Sequence, residues 1–152
     1  MKLRVELSEK ADEEVVIRCR SMTKEVKWLQ DLLRSVIGYN TELVLHIGTS
    51  VYYVPRNEIL FFETDNGRIT AHTADKMYYT NYKLYELEKL LPVSFLRVSK
   101  ACILNVAEVS TIHKNLAGAS EVLFRGSHKK VFVSRMYYKI LKERIEEMRS
   151  FI

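Results

Sequence analysis

The residue types that most often perform catalysis are scattered along this chain of 152 residues. Its histidines are His46, His72, His113 and His128, and their spacing is not that of a metal site. Glu63 and Asp65 lie two residues apart, on one face of a predicted strand, but the Asn-Gly that follows favours a solvated turn over a carboxylate pair. No glycine-rich phosphate loop, GxSxG, HExxH or paired CxxC occurs. We therefore expect no enzyme, no catalytic residue, no cofactor and no metal.

The two cysteines, Cys19 and Cys102, lie far apart in the sequence, each within an apolar strand-like run. Two buried free thiols in a reducing cytoplasm are the expected arrangement, and a disulfide is the alternative. The first residues, MKLRVELSEK, lack the apolar stretch of a secretory signal, and no run of about 18 apolar residues could cross a membrane. The sequence therefore predicts a cytoplasmic protein.

The net charge of +5 is concentrated in the last third of the chain. Residues 1–96 contain 13 basic and 14 acidic residues, whereas residues 97–152 contain 11 basic and 5 acidic residues. A local basic excess favours a polyanionic partner, because Lys and Arg neutralise phosphates and release condensed counterions. Charge alone is equally consistent with an ordinary solvated surface.

Several side chains of this basic third fall where long side chains project into solvent. They lie at predicted strand ends, in turns or in the first turn of the last helix, from which they can reach DNA phosphates or base edges. Backbone N–H groups at the start of that helix can add a phosphate contact. The residues concerned are Arg97, Ser99, Lys100, Arg125, Lys129, Lys130 and Arg135.

The first 40 residues predict a β-α extension. Residues 2–7 alternate between polar and apolar side chains, and residues 14–20 are rich in β-branched side chains, so both predict strands. Residues 21–37 have apolar side chains at helical spacing, with Ser21 or Thr23 as the N-cap and Gly38 as the C-cap. We therefore divide the chain into an extension at 1–40 and a second domain at 41–152.

From residue 41 the apolar residues recur with the period of two that is typical of antiparallel strands, so the fold is predicted to be mainly β, or α+β overall. The sequence Asp65-Asn66-Gly67 predicts a hairpin turn. Residues 82–92 predict a short helix, and residues 135–152 a terminal helix with Ser134 as its N-cap. The predicted strands are 42–48, 50–55, 58–65, 68–74, 76–82, 95–106, 108–115, 120–126 and 129–134.

Four motifs in this second part resemble those of LytTR-type DNA-binding domains. They are EILFFETDNGRITAHT at 58–73, the helix YKLYELEKLL, FLRVSKACILNVAEVSTI at 95–112, and KKVFVSRMYYKILKERI at 129–145. The resemblance extends over residues ~41–148, and the short N-terminal part is similar to that of small bacterial LytTR regulators without a receiver domain. It implies an elongated fold of small antiparallel sheets with short helices. It also implies transcription regulation at promoters with paired repeats, through loops inserted into successive major grooves of a bent duplex.

The resemblance also implies which residues contact DNA. Arg97 matches the motif arginine, with a structural or phosphate-facing role, and Asn105 matches an asparagine that bonds a turn or the backbone. Many members have His where this chain has Ser99, which shifts the expected contact towards Lys100. The candidates for base contacts are Asp65, Asn66, Gly67, Arg68, Ser99, Lys100 and Arg135.

The expected partners are double-stranded DNA, a second copy of the chain, and a regulatory protein that could be membrane-bound, with no small-molecule substrate. We expect the homodimer to form through the predicted helix that carries Trp28 and Leu32. Two other classes of function stay open from the residues alone. One is a protein-interaction module that docks through helix 21–37 without binding nucleic acid, and the other is a small enzyme or ligand-binding β domain.

Overall fold

The computed structural model describes residues 14–37 and 42–150, with residues 5 and 9 as isolated positions. Three α-helices are present in the described part, α1 (Lys24–Ile37), α2 (Leu84–Leu90) and α3 (Arg135–Ser150). The first five strands are β1 (Glu42–Ile47), β2 (Ser50–Pro55), β3 (Phe61–Asp65), β4 (Arg68–His72) and β5 (Met77–Thr80). The other five are β6 (Phe95–Ser99), β7 (Cys102–Asn105), β8 (Val109–His113), β9 (Ser120–Phe124) and β10 (Lys130–Val133).

The strands form two antiparallel sheets. The larger sheet has seven strands in the order β2-β1-β5-β4-β3-β7-β6, and the smaller has three in the order β10-β9-β8. Every strand pair is antiparallel. The prediction of a mainly β fold of antiparallel sheets with short helices is confirmed.

The larger sheet separates two hydrophobic cores. Phe61 and Phe62 point to opposite faces of the sheet, because successive side chains of a strand alternate between its faces. Phe62 packs in one core with Leu87 of α2. Phe61 packs in the other core with Val122 of β9 and Leu141 of α3. One adjacent pair of residues therefore attaches α2 to one face and the smaller sheet with α3 to the other.

The single strand predicted over residues 95–106 is wrong, because these residues form the β6–β7 hairpin. Arg97 pairs with Ile103 and Ser99 with Cys102, and the register shifts between Arg97 and Ser99. Ser99 Oγ accepts a hydrogen bond from the N–H of Ala101 at 3.2 Å, which closes the turn. A serine hydroxyl bonded two residues ahead can form a turn without glycine or proline, so the usual turn signals are absent here.

The predicted extension differs from the structure in its strands. Residues 14–20 form no strand, so that prediction is wrong. The strand predicted at 2–7, apart from the isolated residue 5, and the C-cap at Gly38 lie outside the described residues. The predicted helix is confirmed as α1, and of the two predicted N-caps it is Thr23 whose Oγ1 accepts the N–H of Val26 at 3.2 Å.

Two further predictions are corrected by burial and hydrogen bonding. Both cysteines are free, but Cys19 is exposed rather than buried. Cys102 is buried, and burial raises the pKa of its thiol. Ser134 precedes α3 and its carbonyl accepts the N–H of Tyr138 at 3.1 Å. Its Oγ, however, is buried without a hydrogen-bond partner among the described residues, so the predicted side-chain cap does not form.

No described helix has the length and apolar character needed to cross a membrane.

Asn105 connects the end of β7 to the segment before β3 and confirms the expected backbone-bonding role. This residue is 3% exposed. Its Nδ2 donates to the carbonyl of Ile59 at 3.1 Å, 46 residues away in the chain. Its Oδ1 accepts the N–H of Ala107 at 3.2 Å. The side chain therefore bonds one backbone group in each of two segments. Strand pairing leaves both of these groups without a partner.

We predict that Asn105→Ala lowers the free energy of unfolding by about 2–4 kcal/mol, because each of two partly or fully buried backbone groups loses its partner. Urea denaturation would measure this loss. Asn115→Ala is a matched control, since Asn115 is exposed and its side chain makes, among the described residues, just the local bond from Ala117 N to its Oδ1 at 3.0 Å. Equal losses in the two variants would contradict the assigned role of the Ile59 bond.

Candidate nucleic-acid interface

The turn between β3 and β4 is a two-residue hairpin, as predicted. Asp65 pairs with Arg68 across it. Asn66 and Gly67 have φ angles of 48° and 77°, as a type I′ turn requires, and these are conformations that Asn and Gly tolerate best. All four residues are exposed. The Arg68 guanidinium lies 3.7 Å from the ring centroid of Tyr79, which restrains it at the surface.

The turn between β6 and β7 lies beside this first turn. The N–H of Thr64 donates to the carbonyl of Ala101 at 2.8 Å, and Glu63 pairs with Cys102 in the next register position. Because β3 and β7 are antiparallel neighbours, the end of β3 meets the start of β7, and both turns lie at one end of the larger sheet. Lys100 is exposed at the tip of the second turn, while Ser99 is half-buried.

Arg97 supports the second turn from within. Its Nε donates to the carbonyl of Ser99 at 2.9 Å, and its Nη2 donates to the carbonyl of Lys100. Its Nη1 contacts Glu88 Oε1 on α2 at 3.1 Å. With three partners inside the protein, the guanidinium is arranged to position Ser99 and Lys100. Of the two roles that the resemblance implied, these contacts favour the structural one.

Arg135 is placed next to the second turn by the start of α3. The N–H of Ser134 donates to the carbonyl of Val98 at 3.3 Å, which attaches the helix start to β6 one residue before Ser99. Arg135 is exposed and is the first residue of α3. We call the exposed surface formed by the β3–β4 turn, the β6–β7 turn and the start of α3 the turn surface. It comprises Asp65, Asn66, Gly67, Arg68, Ser99, Lys100 and Arg135.

The charge of the turn surface suits a polyanion. Three cationic side chains, of Arg68, Lys100 and Arg135, project beside the single carboxylate of Asp65. Such a concentration of positive charge attracts phosphate over distances of about a Debye length, ~8 Å at physiological ionic strength.

The structure does not bring Lys129 and Lys130 to the turn surface. Lys129 Nζ donates to the carbonyl of Lys76 and lies 3.4 Å from Nδ1 of His72, at the end of β4 opposite Arg68. Four strand positions separate the two ends of β4, a distance of roughly 13 Å. Lys130 Nζ lies 3.6 Å from Glu121 Oε2 on the neighbouring strand.

Comparison with known proteins places these features in a family. A family model for the LytTr DNA-binding domain matches residues 49–146. A Staphylococcus aureus protein (strain MSSA476) named "Uncharacterized HTH-type transcriptional regulator" is 27% identical over 146 residues, covering 95% of this chain and 98% of that protein. A protein of the same description from strain NCTC 8325 / PS 47 is 30% identical over 103 residues, covering 68% of this chain and 69% of that protein.

The fold is also similar to that of a solved structure. This structure is the LytTr DNA-binding domain of a proposed methyl-accepting/DNA response regulator from Bacillus cereus. The TM-score is 0.64 at 21% sequence identity, and the match covers 71% of this chain and 98% of that chain.

In the described part of this chain, strands separate each helix from the next, so no two consecutive helices form a helix-turn-helix.

Sequence reasoning missed a buried polar cluster between the two sheets. His72 is 9% exposed and stacks on Phe61 at 4.3 Å between ring centroids. Its Nε2 lies 3.1 Å from Thr70 Oγ1 and 3.4 Å from Glu63 Oε1. Lys129 approaches its other ring nitrogen. The period-two pattern could have indicated that these residues share a face, but not that a second sheet covers that face.

Burial sets the protonation of this cluster. Burial, with the nearby Lys129 charge, lowers the pKa of His72 from 6.5 to about 4. Burial raises the pKa of Glu63 and lowers that of Lys129. The imidazole of His72 is therefore neutral at pH 7, and it can bond Thr70 without placing a second positive charge beside Lys129.

We predict that His72 makes the protein less stable as the pH falls from 6.5 to about 4. In this window the unfolded chain binds a proton at His72 more readily than the folded protein, so the free energy of unfolding falls with falling pH. The additional slope is at most about 1.4 kcal/mol per pH unit. Glu63 contributes in the opposite direction, because its pKa is raised.

Urea denaturation at several pH values would test this by comparing the wild type with His72→Asn. The variant should lose the additional slope, whereas His113→Asn, a substitution of an exposed strand histidine, should keep it. The same pH dependence in the wild type and His72→Asn would show that His72 is not held neutral by burial.

Proposed function

The chain belongs to the LytTR DNA-binding domain family, and from this membership we propose that its turn surface reads base edges in the major groove of promoter DNA. The family is one of DNA-binding regulator domains and is not an enzyme class. The protein is accordingly a DNA-binding transcriptional regulator. The observation that carries the more specific proposal is that two hairpin turns and a helix start, distant in sequence, meet at one positively charged end of the larger sheet.

Arg135 is the residue to which we assign base recognition. A guanidinium can donate two parallel hydrogen bonds to O6 and N7 of guanine, which discriminates against other bases by about 1–3 kcal/mol. Arg135 has the exposure that such a contact needs, and its backbone is held by α3 and by the bond from Ser134 to Val98. A donor on a rigid element loses less conformational entropy on binding than one on a free loop.

The two turns supply the remaining contacts of the proposal. Lys100 acts as a point charge on a phosphate, which adds affinity and salt dependence without sequence information. Asn66 and Gly67 form a narrow tip that can enter a groove, and Arg68, restrained by Tyr79, lies at its base. Arg97 contributes by holding the carbonyls of Ser99 and Lys100, so its part is to position the second turn.

We assign the two lysines at the start of β10 a secondary part. The contact of Lys130 with Glu121 is half-exposed and is worth little, so Lys130 can exchange this partner for a phosphate. Lys129 already serves the contact between the two sheets through His72 and Lys76, and its effect on DNA binding would act mainly through that contact.

We also propose that the protein acts in the cytoplasm as a homodimer bound to paired promoter repeats. A regulatory partner protein would control it. Residues 1–40 would act as the dimerisation extension of the domain at 41–152. Partly buried leucines on α1, among them Leu29 and Leu33, support this role because a second copy could cover them further. Two linked copies on two half-sites bind more tightly than either alone, since the second contact is made at a high effective concentration.

We predict that Arg135→Ala lowers the ratio of affinities for a selected site over scrambled DNA by about 10- to 100-fold, the equivalent of one lost bidentate contact. The site would be selected from random DNA with the wild type, and affinities measured by fluorescence anisotropy at one fixed salt concentration. Arg149→Ala is the matched control, because Arg149 is an exposed arginine on the same helix about 21 Å away. An unchanged ratio in Arg135→Ala, or an equal loss in Arg149→Ala, would contradict the assignment.

A further inference from the structure

A cleft lies between α1 and the C-terminal end of α2, away from the residues of the turn surface. Its volume is about 320 Å³, and it is lined by Asp31 of α1, by Arg56 in the 3₁₀ turn that follows β2, and by residues 89–93. This volume is at the lower end of the range of small-molecule sites in proteins. DNA binding, as proposed above, does not use the walls of the cleft, and Asp31 is the one lining residue that belongs to the proposed dimerisation extension.

Arg56 is half-buried and lines this cleft. Its Nε is buried and has no hydrogen-bond partner among the described residues. A buried guanidinium N–H without a partner is costly, and native proteins rarely leave one unless a water, an ion or a ligand completes it. Arg56 also makes no ion pair within the described part of the chain, so its charge is available to an anion.

The other walls define the chemistry of an occupant. Lys89 adds a second positive charge, which makes no ion pair with any described residue, and Asp31 is the one acidic residue of the lining, so a net positive charge remains. The remaining wall is apolar, formed by residues 90–93 with the sequence LLPV, and Leu90 is 46% exposed. Cations at one side and an aliphatic wall at the other suit a molecule with an anionic head and an apolar tail.

We propose that this cleft binds a small aliphatic carboxylate, whose head accepts hydrogen bonds from Arg56 and is attracted by the positive charge of Lys89, while its tail covers Leu90 and Pro92. The planar donors of a guanidinium match the two oxygens of a carboxylate, and hydrogen bonds between charged groups are among the stronger ones. The proposal is independent of DNA binding, and its test contains no DNA.

Isothermal titration of the full chain with sodium hexanoate, at constant ionic strength, would test the proposal. We expect saturable binding of one hexanoate per chain, no binding of hexylammonium, and weaker binding of inorganic phosphate, which lacks the tail. Arg56→Gln, which removes the charge and changes the buried donor, should weaken hexanoate binding by about tenfold or more.

Two variants keep the test decisive if Arg56→Gln folds poorly. Lys89→Gln changes an exposed residue of the cleft and should also weaken hexanoate binding. Lys139→Gln, on the exposed face of α3 outside the cleft, should leave the affinity unchanged. The proposal is overturned by an absence of saturable hexanoate binding, by equal binding of hexylammonium, or by affinities that are the same in the wild type and Lys89→Gln.

Discussion

The antiparallel pairing of β3 with β7 is the contact on which the rest of the structure depends. It joins the β3–β4 hairpin to the β6–β7 hairpin through the pairs Phe61 with Leu104 and Glu63 with Cys102. At one end it brings the two turns together through the bond from Thr64 to Ala101. At the other end the N–H of Asn105 donates to the carbonyl of Leu60 at 2.7 Å. A shift of this register by one residue would exchange the two cores and separate the turns.

The parts of the fold that depend on local chemistry could be predicted from the sequence. The Asn66-Gly67 turn follows from residues that accept positive φ, and α1 follows from the helical spacing of its apolar residues with Thr23 as cap. The turn after Ser99 could not be predicted in this way, because a serine hydroxyl and the side chain of Arg97 hold it instead of glycine or proline. Residues 14–20 have strand-forming composition, but β propensity is realised only through pairing and burial.

Candidate residues for the site could be named from the sequence, but their arrangement in space could not. The family resemblance marked residues that lie in both turns, together with Arg135, whereas their meeting at one sheet end depends on long-range pairing. Lys129 and His72 show the limit most clearly. Its charge and its position at a predicted strand end suggested a phosphate contact for Lys129, while the fold directs its ammonium towards His72 and the carbonyl of Lys76. His72 and Lys129 become partly or fully buried because the smaller sheet packs on the larger one. The apolar pattern of a single strand does not indicate this packing.

The central claim is that the turn surface, rather than the opposite end of the larger sheet, contacts DNA. Amide chemical-shift changes, measured by NMR as a selected DNA duplex is added to the labelled protein, would test it most directly. We expect the largest changes at residues 65–68, at 99–101 and at the first turn of α3, with small changes at residues 125–130. Large changes at 125–130 with little change at the two turns would contradict it.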